Sequence, residues 1–94
     1  MLDINFFMLE ALKMAEIAFK KNEVPVGAVI TKDGKIIGKG FNQVVTNNSV
    51  SSHAEINAIN DASQKIKNYR LNGCDIYVTL EPCHMCAKAI VDAR

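Results

Sequence analysis

This 94-residue chain has no marked excess of either charge: eleven Lys and Arg stand against ten Asp and Glu, a formal net of +1. Proteins that hold nucleic acid by charge alone normally carry a basic surplus. Here Lys65, Lys67 and Arg70 form one cluster and Lys20 with Lys21 a smaller pair, so composition neither demands nor excludes an RNA partner. Long apolar runs are also lacking, and none nears the roughly 20 residues of a membrane span. The start, Met1-Leu2-Asp3-Ile4-Asn5, has an acid where a signal peptide would carry basic residues, so neither a membrane nor a secreted protein is expected. Cysteines number three, an odd count with two of them paired as Cys83 and Cys86, which argues against a disulfide scaffold and for a reducing cytoplasm. No repeat or low-complexity stretch interrupts the chain. Residues 1–94 read as a single domain, able to bury roughly 60–65% of its unfolded surface, and 49% hydrophobic content is ordinary for a globular core.

Apolar periodicity places the elements in the order α-β-β-α-β-α. Ile4, Met8, Leu12, Ala15 and Phe19 recur at three- and four-residue steps and predict an amphipathic helix over 3–22, with Asp3 as N-cap and Glu16–Lys20 as an i,i+4 pair. Glu23-Val24-Pro25 ends it, because the residue before proline disfavours helix. Val26 to Thr31 and Ile36 to Phe41 are β-branched runs around Lys32-Asp33-Gly34-Lys35, and Asp-Gly in that setting predicts a two-residue hairpin turn. A polar stretch over 42–51 leads to a second helix over 53–66, with Ser52 and Glu55 spaced as a capping box. A connection over 68–73 leads to a strand from Cys74 to Leu80. Pro82 then suits the first position of a third helix.

His53, Cys83 and Cys86 offer one imidazole and two thiolates, with Glu55 two residues past the imidazole. Three protein ligands and one open position characterise a catalytic zinc, whereas structural zinc closes its shell with four. Cys83 and Cys86, at i and i+3 in a first helical turn, share one face. Both metal-binding groups fall at helix N-termini, where the dipole favours thiolate. Glu55 is the one acidic residue placed to relay a proton. Blander readings stand beside these. Glu55 alone serves equally as a capping glutamate, and the cysteine pair alone suits a structural zinc. His84 is the other histidine, but between the cysteines it is badly placed to close the same shell. Cys74 reads as a small apolar strand residue, and Glu81 as helix-start electrostatics.

The pattern H-x-E…P-C-x-x-C is the signature of zinc-dependent nucleobase deaminases. With its flanks, the chain resembles the bacterial tRNA-specific adenosine deaminases, which convert the wobble adenosine of an anticodon to inosine. The likeness includes Glu23-Val24-Pro25-Val26-Gly27-Ala28-Val29, Phe41-Asn42, His53-Ala54-Glu55, Asn68-Tyr69-Arg70-Leu71 and Tyr77-Val78-Thr79-Leu80-Glu81-Pro82-Cys83. It implies one zinc on His53, Cys83 and Cys86, Glu55 as proton shuttle, Asn42 on the sugar of a flipped-out nucleoside, and Val26 and Ala54 lining the base pocket. The implied fold is a three-layer α/β/α sandwich with a mixed sheet in order 2-1-3-4-5. The implied partners are a tRNA anticodon loop and a second subunit. The zinc motif is shared with cytosine, guanine and deoxycytidylate deaminases, so a free-base or nucleotide deaminase is the alternative, and a non-catalytic zinc-stabilised fragment is another. Relative to the family, the last two strands and the C-terminal helices are absent.

An edge strand rich in Ile76, Tyr77 and Val78 is a template for pairing with another chain. The 94-residue protein is therefore expected to be a homo-oligomer. Light scattering at tens of micromolar, about where exposed edges associate, checks this; a monodisperse monomer would refute it.

Overall fold

The computed structural model of the chain describes residues 4–44, 52–67 and 71–79. Five elements follow in the expected order: α1 (Ile4–Lys20), β1 (Gly27–Lys32), β2 (Lys35–Phe41), α2 (Ala54–Ile66) and β3 (Cys74–Val78). Asp3 and the expected third helix, with Cys83 and Cys86, lie outside the described residues. The strands form one sheet in the order β2-β1-β3, with β1 antiparallel to both neighbours.

β1 is central, and its successive residues serve opposite layers. Ala28 and Ile30 point to α2, where they meet Ala54, Ala58, Ala62 and Leu71. Val29 points to α1, against Phe7 and Ala11. A strand covered on both faces reads as a continuous apolar run rather than an alternation, as Ala28-Val29-Ile30 does. β3 divides the same way. Ile76 and Val78 join the α2 layer, while Tyr77 meets Phe7 in a tilted ring contact with centroids 5.2 Å apart. The result is the expected three-layer sandwich, one helix on each face.

The face that α1 buries differs from the stripe its spacing predicts. Phe7, Ala11, Ala15 and Ala18 are buried, whereas Leu12 is 51% and Phe19 67% exposed. Of the predicted stripe only Ala15 is in the core; Met8 is half-buried, and the Ile4 side chain lies outside the described set. The reason lies in β1. Gly27 sits so close to the backbone of Ala11 and Ala15 that a Cβ on it would collide with them. A helix can approach a sheet that closely only through its smallest side chains, so the alanine face turns inward and the bulkier residues flank it.

The end of α1 is also set earlier than Pro25. Asn22 takes a left-handed conformation at φ 60°. Its N–H donates to the carbonyl of Phe19 at 3.1 Å, and the Glu23 N–H donates to that of Ala18 at 2.9 Å. These two bonds are a Schellman closure, which satisfies the last carbonyls of the helix. Glu16 and Lys20 form the expected pair at 3.3 Å on the wet side.

Asp33 and Gly34, at φ 53° and 78°, make the expected two-residue turn, which needs positive φ at both positions. The pairing then slips between Ile30 and Thr31, leaving Ile37 as an extra residue in β2. Ile36 packs in the α1 layer and Ile37 in the α2 layer, the alternation that consecutive strand residues show. On the outer side of β2, the Lys39 N–H donates to Asp61 of α2 at 2.9 Å. The Lys39 ammonium reaches Glu10 of α1 at 3.6 Å, and Lys13 bonds the same carboxylate at 2.8 Å. The bond from Lys13, with the field of both lysines, holds the Glu10 carboxyl below its usual range against a smaller opposing effect of burial.

Thr31 is 1% exposed, and its hydroxyl finds no hydrogen-bond partner among the described residues. An unpaired buried hydroxyl is a net cost. Thr31→Val keeps the shape and the β-branching, and should raise stability by about 1 kcal/mol, or roughly 5 °C in Tm for a domain of this size. Thermal unfolding followed by circular dichroism checks this, and an unchanged or lower midpoint contradicts it.

Candidate functional site

Four backbone segments meet at one end of the sheet. Gly27 opens β1 and is paired with Phe41 at the end of β2. Beyond β3, the Thr79 N–H donates to the Gly27 carbonyl at 3.1 Å, and the Gly27 N–H donates to Thr79 Oγ1 at 3.2 Å. The start of α2 is pressed against the same end, because Gly40 lacks the Cβ that would strike the Ala54 carbonyl and the Ala58 nitrogen. Gly38 repeats the device one turn on, where a Cβ would come within 2.7 Å of the Ala62 methyl. The stripe Ala54, Ala58, Ala62, at i, i+4 and i+8, thus rides directly over β2.

This convergence brings together five of the residues singled out in the sequence. The Asn42 N–H donates to the Val26 carbonyl at 3.1 Å, which fixes the two side by side at the strand ends. Asn42 is buried, and Val26 is half-buried against the cluster that contains Ala54. His53 immediately precedes α2, with φ −79° and ψ 155°, and is half-buried. Glu55 lies in the first turn and is 4% exposed. No described residue donates a hydrogen bond to its carboxylate.

The helix start corrects the expected capping box. His53, not Ser52, is the N-cap, no side chain caps the helix, and Glu55 is therefore its second residue rather than its third. Ser52 is drawn out of the helix by other bonds. Its carbonyl accepts from the Gln43 N–H at 2.8 Å and from Asn57 Nδ2 at 3.2 Å. With the capping role gone, burial of Glu55 at a helix N-terminus calls for another explanation.

The donor set of imidazole, thiolates and a nearby carboxylate suits zinc. Of the three expected ligands only His53 is described, and among the described residues no group of three His, Cys, Asp or Glu is placed to hold a metal. Cys83 and Cys86 lie outside them, as does His84. Cys74 is not a substitute. It pairs with Lys32, at the other end of β3 from Val78, and three strand residues separate it from Val78, a span of about 13 Å. Its half-buried position pushes the thiol pKa up, chiefly by desolvation.

Asn57 escaped the sequence reading. Its side-chain amide donates to the carbonyls of Phe41 at 2.9 Å and Ser52 at 3.2 Å, and its backbone N–H donates to that of His53 at 2.9 Å. The available signal was an amide side chain on the inner part of an alanine-striped helix.

One end of the sheet thus gathers half-buried His53, buried Glu55 and buried Asn42. The chain belongs to the cytidine and deoxycytidylate deaminase family, matching the model of its zinc-binding region over residues 1–94. Within that family it is 57% identical over 89 residues to the tRNA-specific adenosine deaminase of Rickettsia bellii, covering 93% of this chain and 61% of that protein. It is 47% identical over 90 residues to the enzyme of the same name from Buchnera aphidicola, covering 96% and 60%. The chain thus spans about three-fifths of the length of these curated relatives. Among solved structures, a tRNA deaminase that edits A to I at the wobble position superposes with a TM-score of 0.93 at 47% identity, covering 96% of this chain and 69% of that one. A guanine deaminase from Bacillus subtilis superposes with a TM-score of 0.94 at 39% identity, covering 99% and 60%. Among the described residues, no helix is long and apolar enough to cross a membrane.

Gly40→Ala should push α2 off β2 at its N-terminal end and cost about 1–3 kcal/mol, the usual range for overpacking a tight contact. Urea unfolding measures the loss. A midpoint equal to wild type would show that the helix start shifts freely.

Proposed function

We propose that this chain carries the catalytic part of a zinc-dependent enzyme that hydrolyses adenosine to inosine at the wobble position of tRNA. The observation that supports it best is Glu55, buried at the first turn of α2 two residues past His53, with no described donor to its carboxylate. A carboxylate so placed is suited to bonding water and substrate rather than protein.

His53, Cys83 and Cys86 would hold the metal, with only three residues between Thr79 and Cys83. Bound zinc supplies Lewis acidity, which lowers the pKa of a coordinated water toward about 7. Glu55 takes the proton that water gives up as its oxygen bonds to the purine carbon bearing the amino group. It passes that proton to the adjacent ring nitrogen, then moves a second from the new hydroxyl to the amine, which departs as ammonia. Adenosine and water thus yield inosine and ammonia, and Glu55 ends as it began. Asn42 would bond the sugar of the extruded nucleoside, and Val26 with Ala54 would bound the base. The proposed partners are the tRNA anticodon loop and a second subunit, in the cytoplasm.

The superpositions on a tRNA deaminase and a guanine deaminase are equally close, so the fold does not choose between RNA and a free base. Sequence favours RNA: identity is 47–57% to the tRNA enzymes against 39% to the guanine deaminase.

Incubation with an anticodon stem-loop, and in parallel with cytosine, guanine and deoxycytidylate, should give ammonia and inosine from the RNA alone. The measurement is made on this chain and on a version extended to the length of its relatives. Turnover of a small substrate without RNA turnover would select the alternative, and no turnover by either form would select a non-catalytic zinc-binding fragment. Glu55→Ala should abolish turnover and keep about one zinc per chain, since the carboxylate is not a ligand in this class of site. Loss of zinc in that variant would make Glu55 a ligand instead.

A further inference from the structure

We infer that Asn57 is a positioning residue that fixes Asn42 and His53 relative to each other; the inference rests on the reading of His53 as a metal ligand. Ten residues separate Asn42 from His53 in sequence. Their common location therefore depends on how the two ends of the intervening segment are tied. Asn57 makes that tie. Its Nδ2 donates at 2.9 Å to the carbonyl of Phe41, the residue before Asn42, and at 3.2 Å to that of Ser52, the residue before His53. Its backbone N–H holds the His53 carbonyl itself at 2.9 Å. The Phe41 and Ser52 groups that meet the side chain are both carbonyls, so its amide nitrogen rather than its oxygen must face them. A fourth bond, from the Gln43 N–H to the Ser52 carbonyl at 2.8 Å, closes the same ring and depends on Ser52 being held in place.

The arrangement rules out most replacements. The acceptors need a side chain with two N–H groups at short reach, standing on the face of α2 that lies against Gly40. A Cβ on Gly40 would come within 2.9 Å of the Asn57 carbonyl carbon, so this turn of α2 lies close against the β2 backbone. Removing the amide takes one of two donors from the Ser52 carbonyl, leaving that of Gln43, and takes the side-chain donor from the Phe41 carbonyl. The backbone before His53 and before Asn42 then loses its shared anchor, while the β1–β3 pairing is untouched. Groups that orient a metal ligand from behind typically change metal affinity 10–100-fold when removed.

The test uses the full 94-residue chain as wild type, Asn57→Leu, Asn57→Asp and His53→Ala. Leucine keeps the branching and heavy-atom count of asparagine, with greater bulk and no donors. Aspartate matches its outline and, ionised, has none, so it decides the question should the leucine variant fail to fold. Two readouts are taken: zinc affinity by chelator competition, and amide hydrogen exchange at Gln43 against Val29 of β1 as a reference for global opening. The expected result is zinc binding weakened about tenfold and Gln43 exchange accelerated about tenfold or more with Val29 little changed. Gln43 exchange that is unchanged, or accelerated only in step with Val29, overturns the inference whatever happens to zinc. Zinc affinity equal to wild type in the Asn57 variants, with zinc lost in His53→Ala, also overturns it and leaves His53 a ligand. Zinc retained by His53→Ala refutes the ligand reading itself, while faster exchange at Gln43 would still establish the tie.

Discussion

The close approach of α2 to β2 is the constraint on which the rest of the molecule depends. Gly38 and Gly40 remove two side chains from the sheet surface, and Ala54, Ala58 and Ala62 remove all but a methyl from the helix. Backbone then lies almost on backbone. A helix held at that separation has little freedom to slide or rotate, because each alanine sits where no other residue fits and interiors tolerate overpacking poorly. The start of α2 is thereby fixed relative to the end of the sheet, and with it His53, Ala54 and Glu55. α1 obeys the same rule on the opposite face through Gly27, Ala11 and Ala15. Small residues on both sides of one sheet keep the sandwich thin and place the site at its rim.

How much of this was legible in the sequence depended on how local its cause was. The Asp33-Gly34 turn, the two strands beside it, the Glu16–Lys20 pair and the limits of α2 to within a residue followed from short-range chemistry. The buried face of α1 did not. Apolar periodicity ranks Leu12 and Phe19 above Ala11 and Ala18, yet the partner surface, with Gly27 at its centre, accepts only the smaller set. The bulge was invisible for a similar reason: Ile36 and Ile37 are alike as letters, and only the register against β1 shows which of them is left unpaired.

The site was legible in a different way. His53, Glu55, Asn42, Val26 and Ala54 announce themselves by type and motif, and the fold gathers them at one end of the sheet. Asn57 carries no motif, since its role consists of carbonyls contributed by Phe41 and Ser52, which have no signature of their own. The capping box misled because Ser-x-x-Glu is a statement about side chains, while the position of Ser52 was decided by demands on its carbonyl. Glu55, one position earlier than a capping box requires, still sits in the first turn, where an acid meets the positive end of the helix dipole.

The bond from the Lys39 amide to Asp61 has a consequence for how this sheet grows. β2 and β3 are the outer strands of the described sheet, and they are not equivalent. Along β2, Asp61 occupies an outward N–H, Lys65 lies on the same carboxylate at 3.1 Å, and the bulge at Ile37 breaks the line of the strand. An added strand would meet a charged helix side chain where it needs a backbone carbonyl. Along β3 no such obstruction stands among the described residues, and Ile76 and Val78 continue the α2-side apolar surface outward. The sheet is therefore polar in the sense that a crystal face is polar: accretion is blocked on one side and directed to the other. A strand added to the described sheet, whether from further chain or another molecule, is channelled to β3.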